Sequence, residues 1–220
     1  MGALKPPQNV PNQVRHDILF KWLPMVLEST EGDKKFDNLM THKKCVEQRA
    51  TTPGFTTCGA LPGWVMTKIG IKGRITGYGL AGVRDEAIKI NAWVAHDELH
   101  NAMYQSAYGA DRRPLPGDVY ILGSQRNANE ILHIGIITNP EGTLWQTADA
   151  GQGSREVQKA LYVDRKYDPK NRLLDGEDVF ANAAQAAGLS AAQLKQYGVR
   201  PPRRLIGWVD IDRALEAQRG

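Results

Sequence analysis

The stretch TPGFTTCGALPGWV, residues 53–66, places Cys58 where a loop rich in Pro, Gly and Thr gives way to an apolar helical pattern. The first turn of a helix presents backbone N–H groups without intrahelical partners and the positive end of the helix dipole. A thiol there ionises more readily, and the thiolate is the reactive form of cysteine. The pattern therefore predicts a nucleophile, against the alternative that Cys58 is a small buried apolar residue. If Cys58 attacks a carbonyl group, the backbone N–H groups of Cys58 and Gly59 are the expected donors to the oxyanion that forms.

A cysteine nucleophile needs a base that can accept its proton, and His133 is the candidate. It lies in ILHIGIIT (131–138), an otherwise apolar strand pattern, whereas His16 and His42 lie in polar stretches typical of an exposed surface. A histidine in an apolar strand can also be a purely structural residue. We expect His133 to be within hydrogen-bond reach of Cys58.

The hairpin that carries His133 predicts a third polar residue. With NPEG (139–142) as a four-residue turn, the flanking strands pair so that Gly135 faces Gln146. Gln146 then lies diagonal to His133 on the same face of the sheet, where its amide oxygen can accept from the imidazole N–H. Asp149 is the alternative: it lies on the opposite face in this register, and a bulge in TADAGQG would move it across.

The order of elements along the chain indicates an α+β fold. Helical patterns come first and strand patterns follow, which is the arrangement of helices packed on an antiparallel sheet. At 220 residues we expect a single domain, with N-terminal helices packed on a small antiparallel sheet. The expected helices are 16–29, a helix that starts around Cys58 and ends at Gly70 to Gly73, 84–109 and 178–198. The expected strands follow a turn within 114–124 and cover 131–138, 143–149, the residues around 157–163, and 203–211. A flexible arm (1–15) and an insertion (164–200) complete the chain.

Composition excludes several classes of protein. The chain is 41% hydrophobic and 24% charged, which is ordinary for a globular protein. It has no apolar run of about 18 residues, so we expect no membrane insertion. The first residues lack the apolar segment of a signal peptide, so we expect synthesis in the cytoplasm. The net charge of +4 is small and scattered, and does not indicate a nucleic-acid partner.

A metal site is the main alternative to cysteine chemistry. In HDELH (96–100), His96 and His100 have the spacing at which two histidines on one helix face can share a metal ion. Asp97 occupies the position that glutamate has in HExxH motifs, and Glu98 lies one residue further along the chain. An exposed polar helix face is the favoured interpretation, so we expect neither a metal nor an organic cofactor. Cys45 and Cys58 have no zinc-type spacing; a disulfide between them would disable the thiol.

Four segments in this order, TTCGALPGWV, PLPGDVYIL, LHIGIIT and LWQTAD, resemble the NlpC-type family of papain-like cysteine peptidases. The resemblance covers residues 53–149. It implies a papain-like fold in which Cys58 is the nucleophile, His133 the base and Gln146 the third member. It also implies cleavage of peptide bonds in bacterial peptidoglycan. Thr-Cys-Gly-Ala stands here where the family has Asp-Cys-Ser-Gly, and glutamine stands where its third residue is commonly histidine.

The same resemblance implies a biological setting. Small amidases of this type act as antibacterial toxins, injected by a type VI-like secretion apparatus into the periplasm of a neighbouring bacterium. Such a toxin has a cognate immunity protein that covers its active site. A phage lysis enzyme is an alternative route to the same wall. A papain-like acyltransferase or lipid hydrolase, which would use the same Cys/His pair, and an inactive binding module are alternative functions.

Overall fold

The computed structural model of the chain describes residues 3–28, 56–77, 79–96, 113–124, 130–153, 158–168, 173–175 and 203–219. Within these ranges no helix is long and apolar enough to cross a bilayer. The described helices are α1 (Gln13–Asp17), a π-helical turn (Ile18–Trp22), α2 (Leu23–Leu27), α3 (Thr57–Lys68), a 3₁₀ turn (Arg74–Thr76), α4 (Leu80–Lys89) and α5 (Ile211–Glu216).

An antiparallel sheet forms the centre of the described structure. Its strands are β1 (Trp93–Ala95), β2 (Val119–Ser124), β3 (Ile131–Asn139), β4 (Leu144–Gly153), β5 (Gln158–Asp168), β6 (Leu173–Asp175) and β7 (Arg203–Val209). They are arranged in the order β1-β7-β2-β3-β4-β5-β6. Strand β6 also pairs with β7, where Leu173 lies opposite Arg204, so the six strands β2 to β7 close into a barrel.

The predicted papain-like α+β fold, with helices packed on a small sheet, is wrong. The protein has a closed six-stranded antiparallel β-barrel with few helices. One cause lies in the segment 164–200, predicted to be an insertion: it contains the end of β5 and all of β6, which closes the barrel. The other is the helix predicted over 84–109. It ends at Lys89, Asn91 turns the chain in a left-handed conformation (φ 60°), and β1 then pairs with β7.

The two faces of the barrel wall contact different sets of residues. In β2, Val119 and Ile121 belong to the apolar core that also contains the helices, so they lie on the outer face of the barrel. Tyr120 and Leu122, which alternate with them, belong to a second core without helical residues, inside the barrel. Because neighbouring strand residues point to opposite faces, the wall is buried on both sides.

Helix α3 packs on the outer face of the barrel across β3 and β4. Thr56 is its N-cap, and its Oγ1 accepts a hydrogen bond from the N–H of Gly59 at 3.1 Å. The helix ends before Gly70, whose φ of 93° is readily adopted by glycine. The predicted helix start around Cys58 is confirmed, since α3 begins at Thr57.

The described part of the N-terminal arm lies along the outside of the β3–β4 hairpin. The N–H of Lys5 donates to Gln146 Oε1 at 2.7 Å, and Gln146 Nε2 donates to the carbonyl of Ala3 at 3.0 Å. Further along, the N–H of Gln8 donates to Glu141 Oε1 at 2.6 Å. These contacts fasten the arm, expected to be flexible, to the hairpin that carries His133.

A buried arginine joins three segments that are far apart in the sequence. Arg15 of α1 is fully buried and its guanidinium lies 2.8 Å from Asp118, 3.0 Å from Asp212 and 3.4 Å from Asp210. Its Nη1 also donates to the carbonyl of Pro116 at 2.8 Å. The Pro-Gly-Asp turn before β2 is thereby bound to both α1 and the start of α5.

Replacing Arg15 should destabilise the fold strongly. Arg15→Met leaves buried carboxylates without their cation, and we expect the free energy of unfolding in urea to fall by about 3–5 kcal/mol. Arg84→Met is the matched control, because Arg84 pairs with Asp85 on the surface of α4. We expect a change of about 0.5 kcal/mol or less for this control. Equal losses in the two variants would show that the Arg15 cluster does not hold the segments together.

Candidate active site

The thiol of Cys58, the second residue of α3, lies beside His133, close enough for the imidazole to lower its pKa. It is a free thiol, and its Sγ lies 3.4 Å from Oγ1 of Thr56. Burial alone would raise the pKa of this thiol. The contact with His133, the imidazolium charge and the Thr56 hydroxyl outweigh burial, so the pKa of Cys58 is lowered.

His133 lies on β3 and contacts Asp149 through its second ring nitrogen. The distance from His133 Nε2 to Asp149 Oδ1 is 2.6 Å, which leaves Nδ1 as the ring nitrogen for the thiol. Burial alone would lower the pKa of His133. The Asp149 carboxylate and Cys58 outweigh burial, so the pKa of His133 is raised. A lowered thiol pKa and a raised imidazole pKa both favour a thiolate–imidazolium pair.

Asp149 lies inside the barrel and is completely buried. Besides His133, its Oδ1 accepts a hydrogen bond from the hydroxyl of Tyr120. Its Oδ2 accepts from Thr147 Oγ1 at 2.6 Å and from Arg165 Nη2 at 3.0 Å. Burial alone would raise the pKa of Asp149, but the charges of Arg165 and His133 hold it well below its usual range.

The register of the β3–β4 hairpin differs from the predicted one. Ile137 pairs with Thr147, and the ladder then shifts, with Thr138 as the extra residue of a bulge. Strand β3 thus continues through Asn139, the first residue of the predicted turn. Continued along the ladder, this register places Gly135 opposite Asp149, and an ideal Cβ at Gly135 would overlap Asp149 Oδ1. Asp149 therefore occupies the diagonal position beside His133.

Gln146 does not contact His133 in the structure. It lies on the outer face of β4 and bonds the N-terminal arm, as described above, while Thr138 Oγ1 donates to its Oε1 at 3.3 Å. The prediction that Gln146 orients the imidazole fails because the bulge turns its side chain to the other face. The alternative residue, Asp149, is the one that the structure brings to His133.

The two expected oxyanion donors have different surroundings. The N–H of Gly59 donates to the N-cap hydroxyl of Thr56 and is not aimed at a substrate. An ideal Cβ at Gly151 would lie 3.1 Å from the Cys58 nitrogen, so the glycine allows β4 to approach that N–H closely. Because the N–H of Gly59 is bonded to Thr56, the N–H of Cys58 is the remaining candidate of the two.

The first residue of the HDELH motif, His96, does not lie in a helix. His96 directly follows β1, and its Nε2 lies 2.9 Å from the hydroxyl of Tyr167. Residues 97–100 and Cys45 lie outside the described residues. In the part of the chain that the structure describes, no group of three or more His, Cys, Asp or Glu side chains could hold a metal ion.

Three residues that contact Asp149 were not predicted from the sequence: Tyr120, Thr147 and Arg165. The sequence of β5 contains a pattern that could have indicated Arg165. Every second residue of this strand shares one face, and on the inward face Arg165 follows the apolar residues Leu161 and Val163. A fully buried arginine on an apolar strand face requires a carboxylate partner.

No family model, curated protein or solved structure matches the chain. The site brings together a thiol, an imidazole and a buried carboxylate, an arrangement that can activate a cysteine for nucleophilic attack.

The contact across Gly135 gives a stability test of the site. Gly135→Ala places a Cβ 2.7 Å from Tyr120 Cε1 and onto the Asp149 carboxylate, so we expect a loss of about 1–3 kcal/mol in the free energy of unfolding. Gly82→Ala is the matched control, since a Cβ there has nothing within 4 Å and the residue lies in α4. The control should be neutral or stabilised by up to about 1 kcal/mol. Equal stability of both variants would contradict the tight packing at Gly135.

Proposed function

We propose that the protein is a cysteine hydrolase with Cys58 as nucleophile, His133 as general base and Asp149 as the residue that orients the imidazole. The observation that carries this proposal is the continuous contact from Cys58 through His133 to Asp149. A thiol in contact with a histidine whose other nitrogen bonds a carboxylate is the arrangement of an activated nucleophile.

In the proposed mechanism His133 holds the Cys58 proton, and the thiolate attacks an amide carbonyl carbon. The N–H of Cys58 donates to the resulting oxyanion, a contribution of about 3 kcal/mol per donor in related chemistry. His133 then gives its proton to the leaving amine, and a thioester remains on Cys58. Water, deprotonated by His133, attacks the thioester and releases the carboxylic acid and the thiol.

The proposed substrate is an amide bond in the peptides of bacterial peptidoglycan. Its support is the resemblance of the Cys58, Pro-Gly-Asp and His133 segments to the NlpC-type family. We further propose that the protein is an antibacterial toxin acting in the periplasm of a target cell. Its partners would then be a component of a secretion apparatus and an immunity protein that covers the Cys58 site.

Expression in a bacterium, with and without a periplasmic leader, tests the substrate and its compartment. We expect lysis only with the leader, and none from Cys58→Ala or His133→Ala, because a thiol without its base is a poor nucleophile. Cys45→Ala is the matched control and should lyse cells as the unchanged protein does. Mass analysis of peptidoglycan fragments would identify the bond cut. Lysis by the Cys58→Ala protein, or equal toxicity without the leader, would contradict the proposal.

Purified protein separates this chemistry from the alternatives. For cysteine catalysis we expect iodoacetamide to abolish activity and EDTA to leave it unchanged. Loss of activity with EDTA, but not with iodoacetamide, would favour a metal enzyme. A product in which the acyl group passes to a second molecule instead of water would indicate an acyltransferase.

The residue that orients His133 can be identified by two isosteric changes. Asp149→Asn keeps the shape of the side chain but removes the charge that stabilises the imidazolium. We expect kcat/KM to fall by roughly 10³–10⁴-fold, as for comparable changes in serine protease triads. Gln146→Glu, its matched control on the outer face, should lower kcat/KM by less than about threefold. A larger loss in the Gln146 variant than in the Asp149 variant would restore the original assignment.

A further inference from the structure

The interior of the barrel contains a charged group that the proposed mechanism does not use. Arg165, 1% exposed, donates from Nη2 to Asp149 Oδ2 and from Nε to Thr147 Oγ1, each at 3.0 Å. Thr147 in turn donates to the same carboxylate oxygen. These two hydrogen bonds of Arg165 converge on Asp149, one directly and one through a hydroxyl.

Tyr120 holds the other oxygen of the carboxylate. Its hydroxyl donates to Asp149 Oδ1, the atom that also bonds His133. The ring of Tyr120 also lies near both neighbours of Asp149, with its centroid 6.1 Å from that of His133 and 5.7 Å from Cζ of Arg165. Donors on both oxygens fix the plane of the carboxylate, and hence the direction in which Oδ1 faces the imidazole.

Charge balance gives Arg165 a second role. A buried site tolerates charge only in compensated pairs. Asp149 and the imidazolium of His133 alone would form one neutral pair, so a thiolate at Cys58 would add an uncompensated negative charge. With Arg165 present, Asp149 is balanced by Arg165 and the thiolate by His133. We infer that Arg165 and Tyr120 are positioning residues of this site, which hold Asp149 aimed at His133 and, through Arg165, allow Cys58 to exist as a thiolate.

This inference rests on the proposed function only for its catalytic consequence; the ionisation of Cys58 is measured without any substrate. The ionisable groups around Asp149 are His133 on β3, Tyr120 on β2 and Arg165 on β5, with Cys58 beyond His133. Arg203 on β7 adds a positive charge near Tyr120. Loss of the Arg165 charge makes the site more negative, so the thiolate forms at higher pH.

The experiment is a pH titration of thiolate ultraviolet absorbance in the full chain carrying Cys45→Ala, with the matching Cys58→Ser protein subtracted. In Arg165→Met the titration of Cys58 should move upward by about one pH unit. Arg165→Lys retains the charge and should titrate within about 0.3 unit of the parent protein. Titration of Arg165→Met at the parent's pH, or an equal shift in Arg165→Lys, would overturn the role of the Arg165 charge.

Tyr120 has a matched control within the same barrel. Tyr120→Phe should move the Cys58 titration upward by about half a unit, because the carboxylate loses a donor. Tyr167→Phe removes a hydroxyl that bonds His96 instead, and should leave the titration unchanged. Equal behaviour of the two variants would overturn the role of Tyr120.

If Arg165→Met does not fold, Arg165→Lys and Tyr120→Phe decide the outcome. A parent Cys58 that titrates like an ordinary cysteine would refute the proposed function separately.

Discussion

The buried carboxylate of Asp149 is the constraint on which the rest of the site depends. A charge with no exposure to water must be surrounded by donors, and Asp149 has four: His133, Tyr120, Thr147 and Arg165. They come from strands β2 to β5, so the charge is satisfied only when these four strands are paired in register. The helix that carries Cys58 packs on two of them, β3 and β4. Site and fold are therefore formed by one set of contacts.

The elements outside the barrel place Cys58 against that network. The cap at Thr56 fixes where α3 begins, and the apolar contacts of α3 with β3 and β4 fix where its first turn lies. Gly151 allows β4 to approach this turn closely. The Arg15 cluster and the N-terminal arm are remote from the thiol, but they fasten the turn before β2 and the outer face of the β3–β4 hairpin. The strands that carry His133 and Asp149 are thus held on their outer face by α3 and the N-terminal arm.

Local patterns predicted local features of this protein well. The start of α3 followed from the residues before Cys58, and the strand around His133 from its run of apolar residues. The sequence did not reveal the bulge at Thr138, because a bulge is set by the pairing of both strands. One extra residue there moved Gln146 outside and brought Asp149 inside. Barrel closure was missed for a similar reason: β6 is three residues long, and its pairing with β7 is a contact distant in sequence.

The charge state of His133 tests the central claim, a thiolate–imidazolium pair oriented by Asp149, most directly. Nitrogen NMR of the histidine rings in the full chain, with His133→Gln used for assignment, distinguishes a doubly protonated imidazolium from a neutral ring. We expect His133 to be an imidazolium at neutral pH, to lose its proton only above the ordinary histidine range, and to lose it at lower pH in Cys58→Ser. A neutral His133 at pH 7, or a titration unaffected by Cys58→Ser, would contradict that claim.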